Sequence, residues 1–113
     1  MSNFYKDNDD IQFHMPRLNL DKVIDLVENG FEDKGKYDYA PASHADARDS
    51  YDRVLEIVGD ICGNYIAPRA PEVDKESAHY EDGQVRYAKG TQEALDMLKK
   101  ADLMGFTLPR RYG

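Results

Sequence analysis

The run Tyr51, Val54, Leu55, Val58, Ile61, Cys62 and Tyr65 constrains this chain more than any other stretch. Its spacing is that of one face of an α-helix sustained over four turns, and such a stripe must be buried against other elements. Ser43 or Asp46 can cap the start, and the missing N–H of Pro68 predicts the stop. From Asp46 to Ile66, at about 1.5 Å per residue, the helix would reach roughly 30 Å. Ile57 and Ile66 fall outside the main stripe, so this spine has more than one face to bury.

Two shorter stripes are available to pack against it. Asn19 can cap a helix whose apolar face is Leu20, Val23, Ile24 and Val27, with Asp21, Lys22, Asp25 and Glu28 on its polar face and Gly30 as its stop. Thr91 can cap another, with Leu95, Leu98 and Asp102 along one side and Ala94 and Ala101 beside them. Lys99 and Lys100 suit the negative end of its dipole, and Gly105 is the predicted stop. Met104, Phe106 and Leu108 form an apolar exit before Pro109.

The connecting segments read differently. Residues 1–18 lack a sustained period and contain Pro16, which predicts an extended arm; residues 31–44, with Gly35 and Pro41, predict a loop. Pro68 and Pro71 argue against regular structure after the long helix, whereas Asp82-Gly83 between two short β-forming runs predicts a small hairpin. The expectation is an all-α fold: a small bundle of about three helices over residues 19–113, an extended N-terminal arm and a hairpin-like insertion. At 113 residues there is room for one modest core, and the apolar gain of three short stripes is largely offset by chain ordering. Such a unit profits from docking onto another surface.

Charge and motif content exclude several functions. The formal net charge of −7 repels a nucleic-acid duplex, and the adjacent pairs Lys99-Lys100 and Arg110-Arg111 do not alternate with aromatic residues as a single-strand platform requires. The N-terminus has no signal-peptide pattern and no window approaches 18 apolar residues, so the expectation is a cytoplasmic protein without a membrane span. The single Cys62, at helical spacing among apolar residues, reads as a small core side chain in a reducing compartment. His14, His44 and His79 are far apart and fall in predicted loops, with no metal-ligand spacing. Asp7, Asp9 and Asp10 lack the glycine and distal glutamate of a calcium loop and read as a solvated acidic tail. Gly59, Gly63 and Gly83 are isolated, so no phosphate loop is present, and the eight tyrosines read as packing and turn residues. No nucleophile–base pair or carboxylate pair follows from spacing; no catalytic, cofactor-binding or metal-ligating residue is assigned.

The C-terminal segment "GTQEALDMLKKADLMGFTLPRRYG" resembles the region near the start of acyl-CoA dehydrogenases, where a helix runs into a Gly-hydrophobic turn, then Leu-Pro, two variable residues and Tyr-Gly-Gly. The matching positions are Ala101, Leu103, Gly105, Leu108, Pro109, Tyr112 and Gly113, about a fifth of the chain being covered by the segment. Upstream, Ile66, Ala67, Pro68, Ala70, Asp74 and Glu76 are similar to the end of a preceding helix in that family. "HYEDGQVRYAKG" resembles an insertion of the longer bacterial members, and residues 1–42 resemble their extra N-terminal segment. Arg110 and Arg111 stand where acidic residues are common in the family.

The resemblance implies a flavin enzyme in which a glutamate removes the α-proton of an acyl-CoA thioester. The β-hydrogen passes as hydride to FAD, and the electrons pass on to an electron-transfer flavoprotein. That glutamate and the main flavin contacts map onto no position here. What the resemblance implies for these residues is a partial N-terminal helical domain, with Pro109–Gly113 as a connection onward, partnered by the remaining domains of the same enzyme in a homo-oligomer. A rival expectation from another class is a free-standing acidic helical module whose stripes bind a partner helix.

Overall fold

The computed structural model describes residues 2–112. Its main helical stretches and one hairpin follow in chain order: α1 (Asp9–His14), α2 (Asp21–Val27), α3 (His44–Asp60), a π-helical segment (Ile61–Ile66), α4 (Ala67–Glu76), β1 (His79–Glu81), β2 (Gln84–Arg86) and α5 (Lys89–Lys100). The fold is largely helical, with one two-stranded antiparallel sheet in which His79 pairs with Arg86, Tyr80 with Val85 and Glu81 with Gln84.

The long spine starts as its sequence dictates. Ser43 is the N-cap of α3, its hydroxyl accepting from the Asp46 N–H at 3.2 Å while the Asp46 carboxylate accepts from the Ala42 N–H at 2.9 Å. Its end corrects the expectation drawn from Pro68. The helix does not stop there; by Ala67, whose N–H reaches the Cys62 carbonyl, the backbone ladder has slipped to i→i−5. The slip accommodates a proline that has no N–H to give and whose ring would strike the carbonyl one turn back, so Pro68 becomes an early residue of α4, and Pro71 lies inside it. The extra residue per turn also rotates the stripe. Upstream of the slip the spine packs against α2; the π segment and α4 pack against α5.

The N-terminal arm is also corrected: it is not extended. Asn8 caps α1 by accepting from the Ile11 N–H at 3.0 Å, and Met15–Arg17 continues as a 3₁₀ turn that takes Pro16 in its first positions. Residues 2–6 form a strap across the spine. The Phe4 N–H donates to the Gly59 carbonyl at 3.0 Å, the Asn3 side-chain amide to the Glu56 carbonyl at 3.0 Å, and the Ser2 N–H to Asn64 Oδ1 at 3.2 Å. Gly59 and Gly63, isolated in sequence, are the floor this strap lies on. A Cβ at Gly63 would overlap the Ser2 carbonyl oxygen, and one at Gly59 would sit 2.6 Å from the Tyr5 nitrogen.

On α2 the buried edge is Leu20, Ile24 and Glu28, while Val23 and Val27, expected on the apolar face, are exposed. Asn19 does not cap through a short bond: its side chain lies 3.4 Å from the Asp21 N–H. Helix α5 begins at Lys89, so Thr91 lies inside its first turn, and the Glu76 carboxylate accepts from the Lys89 N–H at 3.1 Å. Its end comes before Gly105. Asp102 adopts φ 56° and donates to the Lys99 carbonyl while Leu103 donates to the Leu98 carbonyl, a paired C-terminal cap in which aspartate takes the place usually held by glycine. The hairpin forms as expected, with Asp82 and Gly83 both at positive φ, as a two-residue type I′ turn requires.

The core is thin. Tyr5, Ile24, Ala47, Ile61 and Ala88 are its buried apolar residues among those described. The radius of gyration is 17.5 Å, against about 13 Å for a compact domain of this length. The chain exposes 8581 Å², whereas a compact monomer of its size exposes roughly 6,300 Å².

Candidate functional site

The most deeply buried polar group is the Glu28 carboxylate, 3% exposed at the C-terminal end of α2. Each oxygen has a partner from a distant part of the chain. The Tyr51 hydroxyl, from α3, donates to Oε1 at 2.6 Å, and the Arg110 guanidinium donates to Oε2 at 2.7 Å. The other guanidinium arm reaches Asp33 at 3.3 Å, and the charge lies 6.0 Å from the Tyr39 ring centre. The local backbone is bent to allow this. Asn29, Gly30 and Phe31 all have positive φ, a left-handed turn that brings the chain back so that Asp33 flanks Glu28. At Phe31 that conformation is costly for a bulky side chain, and its ring packs edge-on against His44 at 5.2 Å.

The electrostatics follow from burial. The Tyr51 phenol is pushed far above its usual value, first by desolvation, then by the hydrogen bond to Glu28 and its charge. For Arg110 desolvation pulls down, but the bonds to Glu28 and Asp33 outweigh it and the guanidinium is held more firmly protonated than usual. This cluster is a clasp. It fastens the segment after α5 onto α2 and α3, and among the described residues no buried side-chain nitrogen or oxygen lacks a hydrogen-bond partner.

A second polar cluster ties down the strap. The Tyr5 hydroxyl donates to Asp52 Oδ1, and Lys6 reaches Asp52 at 3.1 Å and Glu56 at 3.5 Å. The bond from Tyr5, then that from Lys6, holds the Asp52 carboxyl below the usual carboxylate range, while burial and the Asp52 bond push the Tyr5 phenol up.

Around these ties the apolar surface is open. Val23, Leu26 and Val27 form an outer face on α2, with Leu26 83% exposed; Val54 and Ile57 are uncovered on α3. The segment held by Arg110 carries Met104, Phe106, Leu108 and Tyr112, all exposed, Phe106 at 74%. These uncovered side chains make the apolar surface unusually open for a chain of this size. Shallow grooves open between the elements. One of about 320 Å³ between α4 and α5 is lined by Glu72, Glu76 and Glu93 against Arg69 and Lys89, a lining that does not suit a dinucleotide's diphosphate. The residues lining that groove do not fit FAD.

The residues singled out from sequence are scattered. His14 ends α1, His44 opens α3 and bonds Asp25 at 2.7 Å, and His79 is in β1, so the expectation that all three lie in loops is corrected. Cys62 is half-buried in the π segment. Asp9 and Asp10 form the first turn of α1 and Asp7 accepts from the Asn3 N–H at 2.7 Å, so the acidic stretch is folded and not a tail. Among the described residues, no group of three His, Cys, Asp or Glu side chains is placed to hold a metal, and no helix is long and apolar enough to cross a membrane. Sequence reasoning put Glu28 on the polar face of α2 and missed the clasp. The signal was its place four residues after Ile24 and eight after Leu20, which puts it on the buried edge. Comparisons with protein-family models, curated proteins and solved structures give no match to this chain.

Proposed function

We propose that this chain serves as the N-terminal helical part of an FAD-dependent acyl-CoA dehydrogenase, a scaffold for the substrate side and for subunit contacts, with the flavin, the catalytic glutamate and the electron-transfer partner engaged by polypeptide outside these residues. One observation supports it above the others: the segment matching the family pattern, Leu103 to Tyr112, is clasped to the frame by Arg110 while its apolar side chains stay uncovered. Roughly 2,300 Å² of surface beyond the compact expectation, 8581 Å² in all, is of the size that an extensive interface consumes on one side. Docked polypeptide covering α2 and the exit segment would supply the burial that this thin core lacks.

In that role these residues take no part in proton or hydride transfer; they hold the exit segment in one direction and exclude water beneath what docks on it. The test is to read and express the coding frame through Gly113 and to record flavin absorbance on anaerobic addition of acyl-CoA thioesters. Downstream flavin-domain sequence and bleaching of bound flavin are expected. A stop codon after Gly113, or a colourless product that acyl-CoA leaves unchanged, refutes the proposal and favours a free-standing helical interaction module.

A further inference from the structure

The β1–β2 hairpin stands apart from the core: all six strand residues are exposed, Tyr80 at 75% and Val85 at 70%. Two strands alone are marginal in water, whereas three or more with an apolar face are stable. The hairpin is amphipathic. Tyr80 and Val85 are opposite each other and share a face, which Tyr87 continues two residues on; His79, Glu81 and Arg86 occupy the other face, where Glu81 lies 3.8 Å from both His79 and Arg86.

Register decides which backbone groups are free. In a two-residue hairpin the pair that closes the turn, here Glu81 with Gln84, exchanges hydrogen bonds. The next pair, Tyr80 with Val85, therefore does not, and the Tyr80 N–H and carbonyl point outward from the β1 edge. Among the described residues no other backbone bond reaches β1.

The sequence of that edge fits itself. Read antiparallel against a second copy and centred on Tyr80, His79-Tyr80-Glu81 places Tyr80 opposite Tyr80 and each His79 opposite the other copy's Glu81, a donor ring against a carboxylate. Parallel pairing would set Glu81 on Glu81. The β2 edge offers no such match, since Gln84-Val85-Arg86 read against itself brings no opposite charges together. We propose that β1 is a self-association edge: two copies of this chain join across a two-fold axis into a four-stranded sheet, β2-β1-β1-β2, with Tyr80, Val85 and Tyr87 of both copies on one apolar face. The inference is independent of the acyl-CoA dehydrogenase proposal, and its test reads mass, not flavin.

Sedimentation velocity over a concentration series of the whole chain is the experiment. The expected result is a weight-average mass that climbs toward twice the monomer value. Tyr80→Pro removes the outward donor at a position whose N–H the hairpin itself does not use, and is expected to leave a monomer. His79→Glu turns two symmetric cross-strand pairs repulsive, and Glu81→Lys removes the two carboxylates that accept from the His79 rings; each is expected to weaken association about tenfold. Mixing those two variants sets the introduced carboxylate of one copy against the introduced ammonium of the other, and leaves the unaltered Glu81 facing the unaltered His79, so the mixture should associate as the parent does. That rescue separates an edge-to-edge contact from a hairpin that has lost its fold, which circular dichroism of each variant also monitors. A parent that stays monomeric at the highest concentration, or a dimer indifferent to all three substitutions, overturns the proposal.

Discussion

Arg110→Ala would test whether the clasp holds the molecule together. The Glu28 side chain is 2% exposed and that of Arg110 22%, at 2.7 Å. Removing the guanidinium leaves a buried carboxylate with the Tyr51 hydroxyl as its remaining bond. Loss of one partner of a buried pair costs about 3–5 kcal/mol, and the partial exposure of Arg110 places this case nearer about 2–4 kcal/mol. Natural domains are stable by only about 5–15 kcal/mol in all, and a thin core puts this one at the low end. With a urea slope of about 1–3 kcal/mol per molar, the midpoint should fall by at least about 0.7 M, followed by circular dichroism at the helix band. Arg110→Lys should recover only part of the loss, because an ammonium cannot present two parallel donors to Glu28 and Asp33. In a double-mutant cycle, Arg110→Ala and Tyr51→Phe should be strongly non-additive, since both act on Glu28. A midpoint change equivalent to less than about 0.5 kcal/mol, the range of an ordinary surface substitution, would refute the reasoning.

Other outcomes can be checked alongside. Gly63→Ala should displace the strap, since its methyl meets the Ser2 backbone oxygen; a loss of about 1–3 kcal/mol and faster amide exchange at Phe4 are expected. Gly90→Ala should also cost stability, because its methyl would sit 2.6 Å from Val73 Cγ2, a β-branched side chain with one favoured rotamer in a helix. In an ultraviolet titration Tyr51 should be the last tyrosine to ionise. Because its folded value is raised, the stability it contributes is complete below the ordinary phenol pKa of about 10 and fades as pH rises beyond it; Tyr51→Phe should abolish that alkaline loss. The Asp52 carboxyl is depressed in the fold, so its contribution is present above about pH 4 and is lost as pH falls further; Tyr5→Phe should move acid unfolding to higher pH. Leu26→Ser, at a fully open position, should change stability by less than about 0.5 kcal/mol while lowering the fluorescence of a bound hydrophobic dye.

Local chemistry alone settled part of this protein. The Ser43 cap, the helical course of the spine and the Asp82-Gly83 turn depend on residues within a few positions of one another, and each is where its sequence puts it, although Val54 of the spine's stripe is left exposed. What tertiary structure decided are the choices that distant groups make. Pro68 predicts a stop because a proline ends a regular ladder, yet a slipped ladder and packing against α5 carry the helix through it. Asp102 could replace Gly105 as the helix end because the capping bonds to Lys99 and Leu98 outweigh its conformational cost. The strap over Gly59 and Gly63 spans more than fifty positions, and the Glu28 clasp to Arg110 spans 82. Periodicity carries no information about such pairs. It tells which face of a helix is apolar, but which face is buried depends on what arrives to cover it. On α2 what arrived were Tyr51 and Arg110, on the side of Glu28, and Val23, Leu26 and Val27 were left open.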